Sequence, residues 1–402
     1  MHILLLNSDK QEPINIIKNK IDNLNVSIIT KAQYQHLYKE LTENVYLVNS
    51  LEDFLEIRTL VNSIQKKELI DYVITPTEKG VLTGGFIRSF FGIDGPKFEE
   101  ALATTNKLYM KSKVNEYNIK TAPFENLSDL NQLEYTAEKL GYPIIIKPAV
   151  GSGTKNTFKV ESRKDLLNKQ NSNLFDELYN IKVPLIVEKF IEMEEYHCDA
   201  IINNNQIQFL SISKYLTPPL KSINGYTGSY IIPIDSPIYN RLKHEVYKIV
   251  DNLAISKGPI HVELYHTTYD EILFGEIALR PGGGGVSKTI NMKYDISIWE
   301  KSFEAEINQT MPNSPQVNNH ICGWVGLPCK NGQLLDFISK EDIYKIDNRI
   351  KHIEQHYKVN DTINENTSST FYLYTLYYEV LREADIDNIM KKLDKHYYIV
   401  TK

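Results

Sequence analysis

The run Phe274-Gly-Glu-Ile-Ala-Leu-Arg-Pro-Gly-Gly-Gly-Gly285 sets one carboxylate, Glu276, and one guanidinium, Arg280, on a short apolar strand that opens into four glycines. Glu263 lies 13 positions upstream of Glu276 on a second strand-like run, residues 260–265. Two carboxylates brought side by side by paired strands make a hard-oxygen site for Mg²⁺, with Mn²⁺ as the alternative, and an arginine there matches phosphate or carboxylate oxygens bidentately. The ligand this combination implies is a metal-bound polyphosphate. Alone the run is weak evidence, because an exposed strand with a salt bridge before a glycine turn reads the same way.

A second group lies between residues 142 and 195. Lys147 shares a strand face with Ile145 and Ala149, and a lysine on a buried strand needs an anion beside it. A structural salt bridge would serve. So would a phosphate, and Gly151, Ser152 and Gly153 follow at once, a loop whose backbone N–H groups can close over phosphate oxygens as a mobile tip. Glu188 ends another buried strand, followed by Lys189 and Phe190, and Glu195 stands seven residues after Glu188. Both carboxylates can accept hydrogen bonds from an adenine amino group and ribose hydroxyls along one cleft wall. Glu192 and Glu194 are better read as exposed turn acids.

The elements that must position these groups follow from the apolar pattern. Short apolar runs at 3–6, 26–29, 45–48 and 72–75 alternate with helical patterns, which predicts a parallel sheet with crossover helices over residues 1–105. No Gly-x-Gly-x-x-Gly follows the first run, so a dinucleotide site there is disfavoured. Thr104 and Thr105 are predicted to cap a helix through Lys107, Met110 and Val114. Residues 106–190 read as a small unit with an antiparallel strand pair around the glycine tip and a helix over 165–178. Residues 191–402 form the unit with the carboxylate pair, a turn at Asn203-Asn-Asn205, and a tail of alternating runs such as 370–381.

Composition excludes more than it selects. With 402 residues, 42% apolar and 24% charged, the chain has room for two or three domains with real cores. A net charge of -6 leaves no basic footprint for nucleic acid. Cys198, Cys322 and Cys329 are too few and too scattered for a disulfide framework or a four-ligand zinc site, and read as reduced, buried thiols of a cytoplasmic protein. The opening apolar run is too short for a signal peptide and no run approaches the ~18–20 residues of a membrane span, so no membrane partner is expected.

In this order and spacing the residues resemble the ATP-grasp carboxylate–amine ligases over roughly 85–300, with weaker similarity to their L-amino-acid-ligase branch in the tail. Lys107 resembles the family's first ATP lysine and Lys147 the second. Residues 186–191 resemble the hinge that binds adenine, with Glu195 as the ribose acid. Glu263 and Glu276 resemble the magnesium carboxylates, and Arg280 the arginine that meets phosphate and the activated carboxylate. The resemblance implies an α/β (α+β) ATP-grasp architecture: an N-terminal Rossmann-like domain, a small antiparallel ATP-lid domain, and a larger C-terminal α+β domain. Two positions depart from the pattern. Ala278 stands where an asparagine ligand is usual, and Met193 where a glycine is usual.

Residues 222–230 resemble the family's substrate-facing loop, which makes Tyr226 and Ser229 candidate substrate contacts, although an ordinary hairpin explains the glycines equally well. Gly283 is a further candidate. His261 shares a strand face with Glu263, yet a satisfied core histidine is the better reading of a single residue. Lys214 is a weak candidate for phosphate. The implied activity is ATP-dependent joining of a carboxylate to an amine through an acyl phosphate, with ADP and phosphate released, on amino-acid or small carboxylic-acid substrates. A homodimer is compatible with the resemblance. The alternatives are a carboxylase-like enzyme that phosphorylates bicarbonate and a non-catalytic nucleotide-binding regulatory module.

Overall fold

Leu4 and Leu6 pack on one side of the first strand, Ile3 and Leu5 on the other. An uninterrupted apolar run requires this, because it can only be satisfied in a sheet covered on both faces. In the computed structural model, which describes residues 1–20, 24–222, 225–308, 316–364 and 371–402, β1 (His2–Leu6) pairs in parallel with β2 (Asn25–Thr30). Beyond β2 lies β3 (Val45–Leu47), and on the other side of β1 lies β4 (Tyr72–Ile74), giving the order β3-β2-β1-β4. Helices Phe54–Gln65 and Glu78–Phe91 cover one face, while Glu12–Lys20 and Ile298–Glu306 cover the other. Because the chain leaves β1 toward opposite edges, the loops after β1 and β4 diverge and leave a crevice at their carboxyl ends.

The next sheet is small and antiparallel, with β5 (Phe124–Leu127), β6 (Ile144–Pro148), β7 (Phe158–Val160) and β8 (Leu185–Lys189) in the order β5-β8-β6-β7. Its own core includes Ile144, Ile146, Val160 and Val187. The pairing of β6 with β7 sets residues 149–157 as a hairpin tip, as the glycines predict. Helix Lys107–Glu116 does not pack in this core: Met110 and Val114 join the large core of the following unit. The separation of cores therefore falls after this helix rather than at residue 106.

Two other expectations are corrected. Asn106, not Thr104 or Thr105, caps that helix, its Oδ1 accepting from Leu108 N and Tyr109 N at 3.0 and 3.2 Å. The threonine hydroxyls instead donate to carbonyls of the preceding turn. The helix expected over 165–178 is two, Arg163–Asn171 and Asp176–Tyr179. Asn173, left-handed at φ 59°, interrupts it.

The remaining strands are β9 (Met193–Asn203), β10 (Gln206–Tyr215), β11 (Thr227–Ile231), β12 (Gly258–Thr267) and β13 (Ile272–Ala278). After them come β14 (Ile321–Pro328), β15 (Gly332–Phe337), β16 (Ile350–Gln355), β17 (Thr362–Ile363), β18 (Tyr372–Val380) and β19 (Ile399–Thr401). Eight of these form one antiparallel sheet, β13-β12-β9-β10-β11-β14-β18-β16, while β17-β15-β19 form a short second sheet. The β9–β10 hairpin turns at Asn204 and Asn205, both at positive φ, as the asparagine run predicts. Residues 223–224 of the candidate loop and residue 370 of the tail run lie outside the described residues.

Candidate active site

Strands of period two put alternate residues on one face, and here three adjacent strands do so together. On β9 the inward residues are Glu195, His197 and Asp199. Opposite them on β12 are Tyr265, Glu263 and His261, and opposite Glu263 on β13 is Glu276. The ladder slips between Glu263 and Leu264, a bulge that leaves Gly275 under the Tyr265 ring, where a Cβ would lie 2.5 Å from the ring carbon. This face floors a cavity of about 660 Å³, in the range of small-molecule sites. The small sheet and its glycine tip form the facing wall, and the loops after β1 and β4 close one end with Ser8, Asp9, Thr77 and Glu78.

Three of the cations lining the cavity are each paired with a carboxylate. Lys107, at the start of its helix, lies 3.3 Å from Glu276 Oε2 and donates to the Gly151 carbonyl at 2.7 Å, which fastens the base of the glycine tip. Lys147 Nζ is 3.0 Å from Glu188 Oε2. Arg280 Nε donates to Glu78 Oε2 at 2.9 Å, and Nη1 donates to the Pro281 carbonyl at 3.1 Å.

These contacts set the protonation states. Burial pulls Lys147 down, but Glu188 and Glu276 outweigh it and its pKa is raised. Burial pushes Glu188 up, yet Lys111 and Lys147 hold it at about 2. Glu195 goes the other way: buried and beside Glu263, it is pushed well above the usual carboxylate range. Burial also raises Glu78, against the pull of Arg280.

Glu263 and Glu276 suit a hard divalent cation. They face each other directly across the ladder, and their present partners hold them loosely: Tyr215 donates to Glu263 at 3.4 Å, His261 Nε2 lies 3.8 Å from the same oxygen, and Lys107 stands at 3.3 Å from Glu276. Ala278 also lines the cavity and offers no ligand atom. Met193 lines it where β9 begins.

Most candidate residues meet in this one cavity: Lys107, Lys147, Gly151, Ser152, Gly153, Glu188, Lys189, Phe190, Glu195, His261, Glu263, Glu276, Arg280 and Gly283 all line it. Lys189 Nζ donates to the Gly141 and Tyr142 carbonyls at 2.8 Å each, and the Lys159 ammonium sits 3.8 Å above the Phe190 ring, so the hinge is tied to the small sheet.

Three candidates lie elsewhere. The Ser229 hydroxyl is buried, accepting from Trp324 Nε1 at 2.9 Å and bonding His197 Nε2 at 2.8 Å, so it does not face the cavity. Tyr226 packs against the Tyr397 ring, 6.3 Å between centroids, and is not in the wall either. Lys214 pairs with Glu194 rather than with any cavity group.

Other residues had escaped the sequence reading. Glu78 comes from the N-terminal unit, with no spacing that links it to Arg280. Asp199 bridges two histidines, Oδ2 to His197 Nδ1 at 2.6 Å and Oδ1 to His261 Nδ1 at 2.8 Å. Burial pulls His261 down, but Asp199 outweighs it and raises His261 to about 10. The signal for this cluster was available in the alternation Glu195-x-His197-x-Asp199. Tyr215, Tyr265 and Trp324 complete the wall.

A deep cleft between a small antiparallel sheet and a larger one brings lysines from both sides into one cavity with an opposed carboxylate pair, an arrangement suited to a polyphosphate ligand. Residues 140–289 match the family model for an ATP-grasp domain. The whole fold is similar to the crystal structure of an L-amino acid ligase from Bacillus licheniformis, with a TM-score of 0.77 and 16% identity over 100% of this chain and 98% of that one. It is also similar to N5-carboxyaminoimidazole synthetase from Staphylococcus aureus in complex with ADP, with a TM-score of 0.71 and 15% identity over 97% and 96% of the two chains. In sequence, the chain is 38% identical over 405 aligned positions to an L-arginine-specific L-amino acid ligase of Bacillus subtilis, covering 99% of this chain and 97% of that one. The chain therefore belongs to the L-amino acid ligase family of ATP-grasp enzymes, ATP-dependent ligases that join a carboxylate to an amine.

Proposed function

We propose that this ligase forms a peptide bond between two amino acids through an acyl phosphate, releasing ADP and phosphate. The observation that carries this reading is that Lys107, Lys147 and Arg280 line one cavity together with the opposed pair Glu263 and Glu276.

In this reading the hinge strand β8 and Glu188 take the adenine, Glu195 takes the ribose, and Lys107 and Lys147 meet the phosphates. Glu263 and Glu276 would hold Mg²⁺, which when bound neutralises charge on the phosphate oxygens. The substrate carboxylate attacks the γ-phosphorus, the bond from that phosphorus to the departing ADP oxygen breaks, and Arg280 orients both oxygen sets. The amine then attacks the acyl carbon and phosphate leaves. The small sheet β5–β8 acts as the lid, with the tip at 150–156 excluding water.

For the substrate we propose a cationic amino acid, arginine first. The Bacillus subtilis relative is named for arginine. Asp9, after β1, brings a carboxylate to the cavity lining. The cytoplasm is the proposed compartment, supported by three free buried cysteines and the need for ATP. No helix among the described residues is long and apolar enough to cross a membrane.

The test is incubation with ATP, Mg²⁺ and L-arginine, alone and with each other amino acid. Products are read by phosphate release and mass spectrometry. The expected products are ADP, orthophosphate and an arginine-containing dipeptide. AMP with pyrophosphate would overturn the mechanism, and dipeptides that never contain arginine would overturn the substrate.

A further inference from the structure

Lys111 lies one turn beyond Lys107 on the same helix and is wholly buried, at 0% exposure. It does not line the cavity. Its ammonium has no hydrogen-bond partner among the described residues, and its nearest anion is Glu188 Oε1 at 3.3 Å. The other oxygen of the same carboxylate, Oε2, takes Lys147 at 3.0 Å. One buried carboxylate is thus shared by two buried ammonium groups, of which only Lys147 reaches the cavity.

An ammonium buried without hydrogen bonds is costly, so a packed methionine or leucine would be the more stable choice at this position. The asymmetry between the two lysines offers a reason for the charge. A phosphate that recruits Lys147 must draw it away from Glu188. If Lys147 were the sole partner, that movement would strand a bare carboxylate in a dry environment. With Lys111 in place, Glu188 keeps a counter-charge whether or not Lys147 stays.

We propose that Lys111 is a positioning residue, a resident counter-charge to Glu188 that frees Lys147 to exchange its carboxylate partner for a nucleotide phosphate. This rests on the proposed reading of Lys147 as a phosphate contact. Lys111 itself never touches the ligand. Its role predicts an effect on phosphate-bearing ligands only, because adenosine makes no demand on Lys147.

The test compares the affinity of a non-hydrolysable ATP analogue with that of adenosine, both measured by calorimetry with Mg²⁺ on the full chain. Any contribution of Glu188 to adenine recognition cancels in the ratio. Wild-type protein is expected to prefer the analogue. Lys111→Met should cut that preference by roughly tenfold or more, since a buried pair then has to be broken without compensation. Adding Glu188→Gln to Lys111→Met should bring the ratio back to within about threefold of Glu188→Gln alone, because a neutral amide needs no counter-charge.

An unchanged ratio in Lys111→Met, or an equal loss for both ligands, overturns the proposal. If Lys111→Met does not fold, the comparison of Glu188→Gln with the double variant still decides, since a roughly tenfold difference between them would mean that Lys111 acts independently of Glu188. A wild-type protein with no preference for the phosphate-bearing ligand would instead overturn the nucleotide reading of Lys147, and this proposal with it.

Discussion

Replacing Arg280 with lysine keeps the charge and removes the fork, which isolates what the guanidinium geometry contributes. In the structure two of its nitrogens are already anchored, Nε on Glu78 at 2.9 Å and Nη1 on the Pro281 carbonyl at 3.1 Å, and the side chain is 20% exposed toward the cavity. The anchors fix the plane, so the remaining N–H groups can face ligand oxygens without further ordering. A lysine ammonium is a single point that can sit on Glu78 or on the ligand, not on both in a fixed plane. Losing one preorganised donor to charge that develops in the transition state costs roughly 10²–10³ in turnover, or about 3–4 kcal/mol. We expect Arg280→Lys to lose that much in kcat while KM for ATP stays within about threefold, since the phosphates keep Lys107 and Lys147. Steady-state phosphate release and single-turnover ADP formation measure the two quantities, with thermal unfolding as the check on folding. A kcat within about threefold of wild type, or an effect confined to KM for ATP, would refute the assignment.

The remaining expectations are these. Glu276→Gln should cut turnover by roughly 10²-fold or more with the fold intact, by removing one of the two opposed carboxylates; near-normal activity at low Mg²⁺ would reject the metal role. Amide hydrogen exchange over residues 150–156 should slow on adding nucleotide and Mg²⁺, and equal exchange with and without saturating ligand would mean that the tip is not a lid. Gly282→Ala should depress activity, because a Cβ there would lie 2.6 Å from Asp199 Oδ1 and 2.9 Å from His261 Nδ1; an alanine variant as active as wild type would show that the pair tolerates displacement. Glu306 is raised to about 7 by burial against the pull of Arg88 and Lys257, so its contribution to stability is complete below its ordinary pKa and is lost as pH rises through about 7. Glu306→Gln should therefore remove up to ~3 kcal/mol of the stability that wild type loses between pH 5 and pH 8; parallel melting curves for the two proteins across that range would contradict the shift.

Local pattern carried the fold as far as element type and sheet class. The runs at 3–6, 26–29, 45–48 and 72–75 each became a strand of one parallel sheet; β1 is buried on both faces, while β3 takes the edge with Leu47 exposed. Where local pattern failed, a short polar residue decided. Asn106 took the cap expected of Thr104 and Thr105, and Asn173 split the helix expected over 165–178. The packing of helix Lys107–Glu116 into the large core was not legible in the same way, since its apolar residues fit either neighbour and only tertiary contact chooses.

The site divides along a similar line. The sequence pointed to Lys147, Arg280 and the opposed carboxylates because each belongs to a short spaced motif on one strand or loop, and to Lys107 through the family resemblance. It did not point to what those cations touch. Arg280 and Glu78 are 202 residues apart in the chain, and no periodicity relates them. They meet because β4 ends beside β1 at the point where the sheet order reverses, which delivers the start of helix Glu78–Phe91 to the cavity. Lys111 was invisible for a different reason: a helical lysine reads as solvent-facing until the element that buries it is known. Ser229 fails in the reverse sense, since a glycine-flanked serine reads as an accessible contact, yet pairing β11 between β10 and β14 turns its hydroxyl toward His197 and Trp324. Residue type and spacing thus identify the groups that can meet a ligand. Strand order and register determine which protein groups hold them beforehand, and those prior partners set how much of each interaction remains for the reaction.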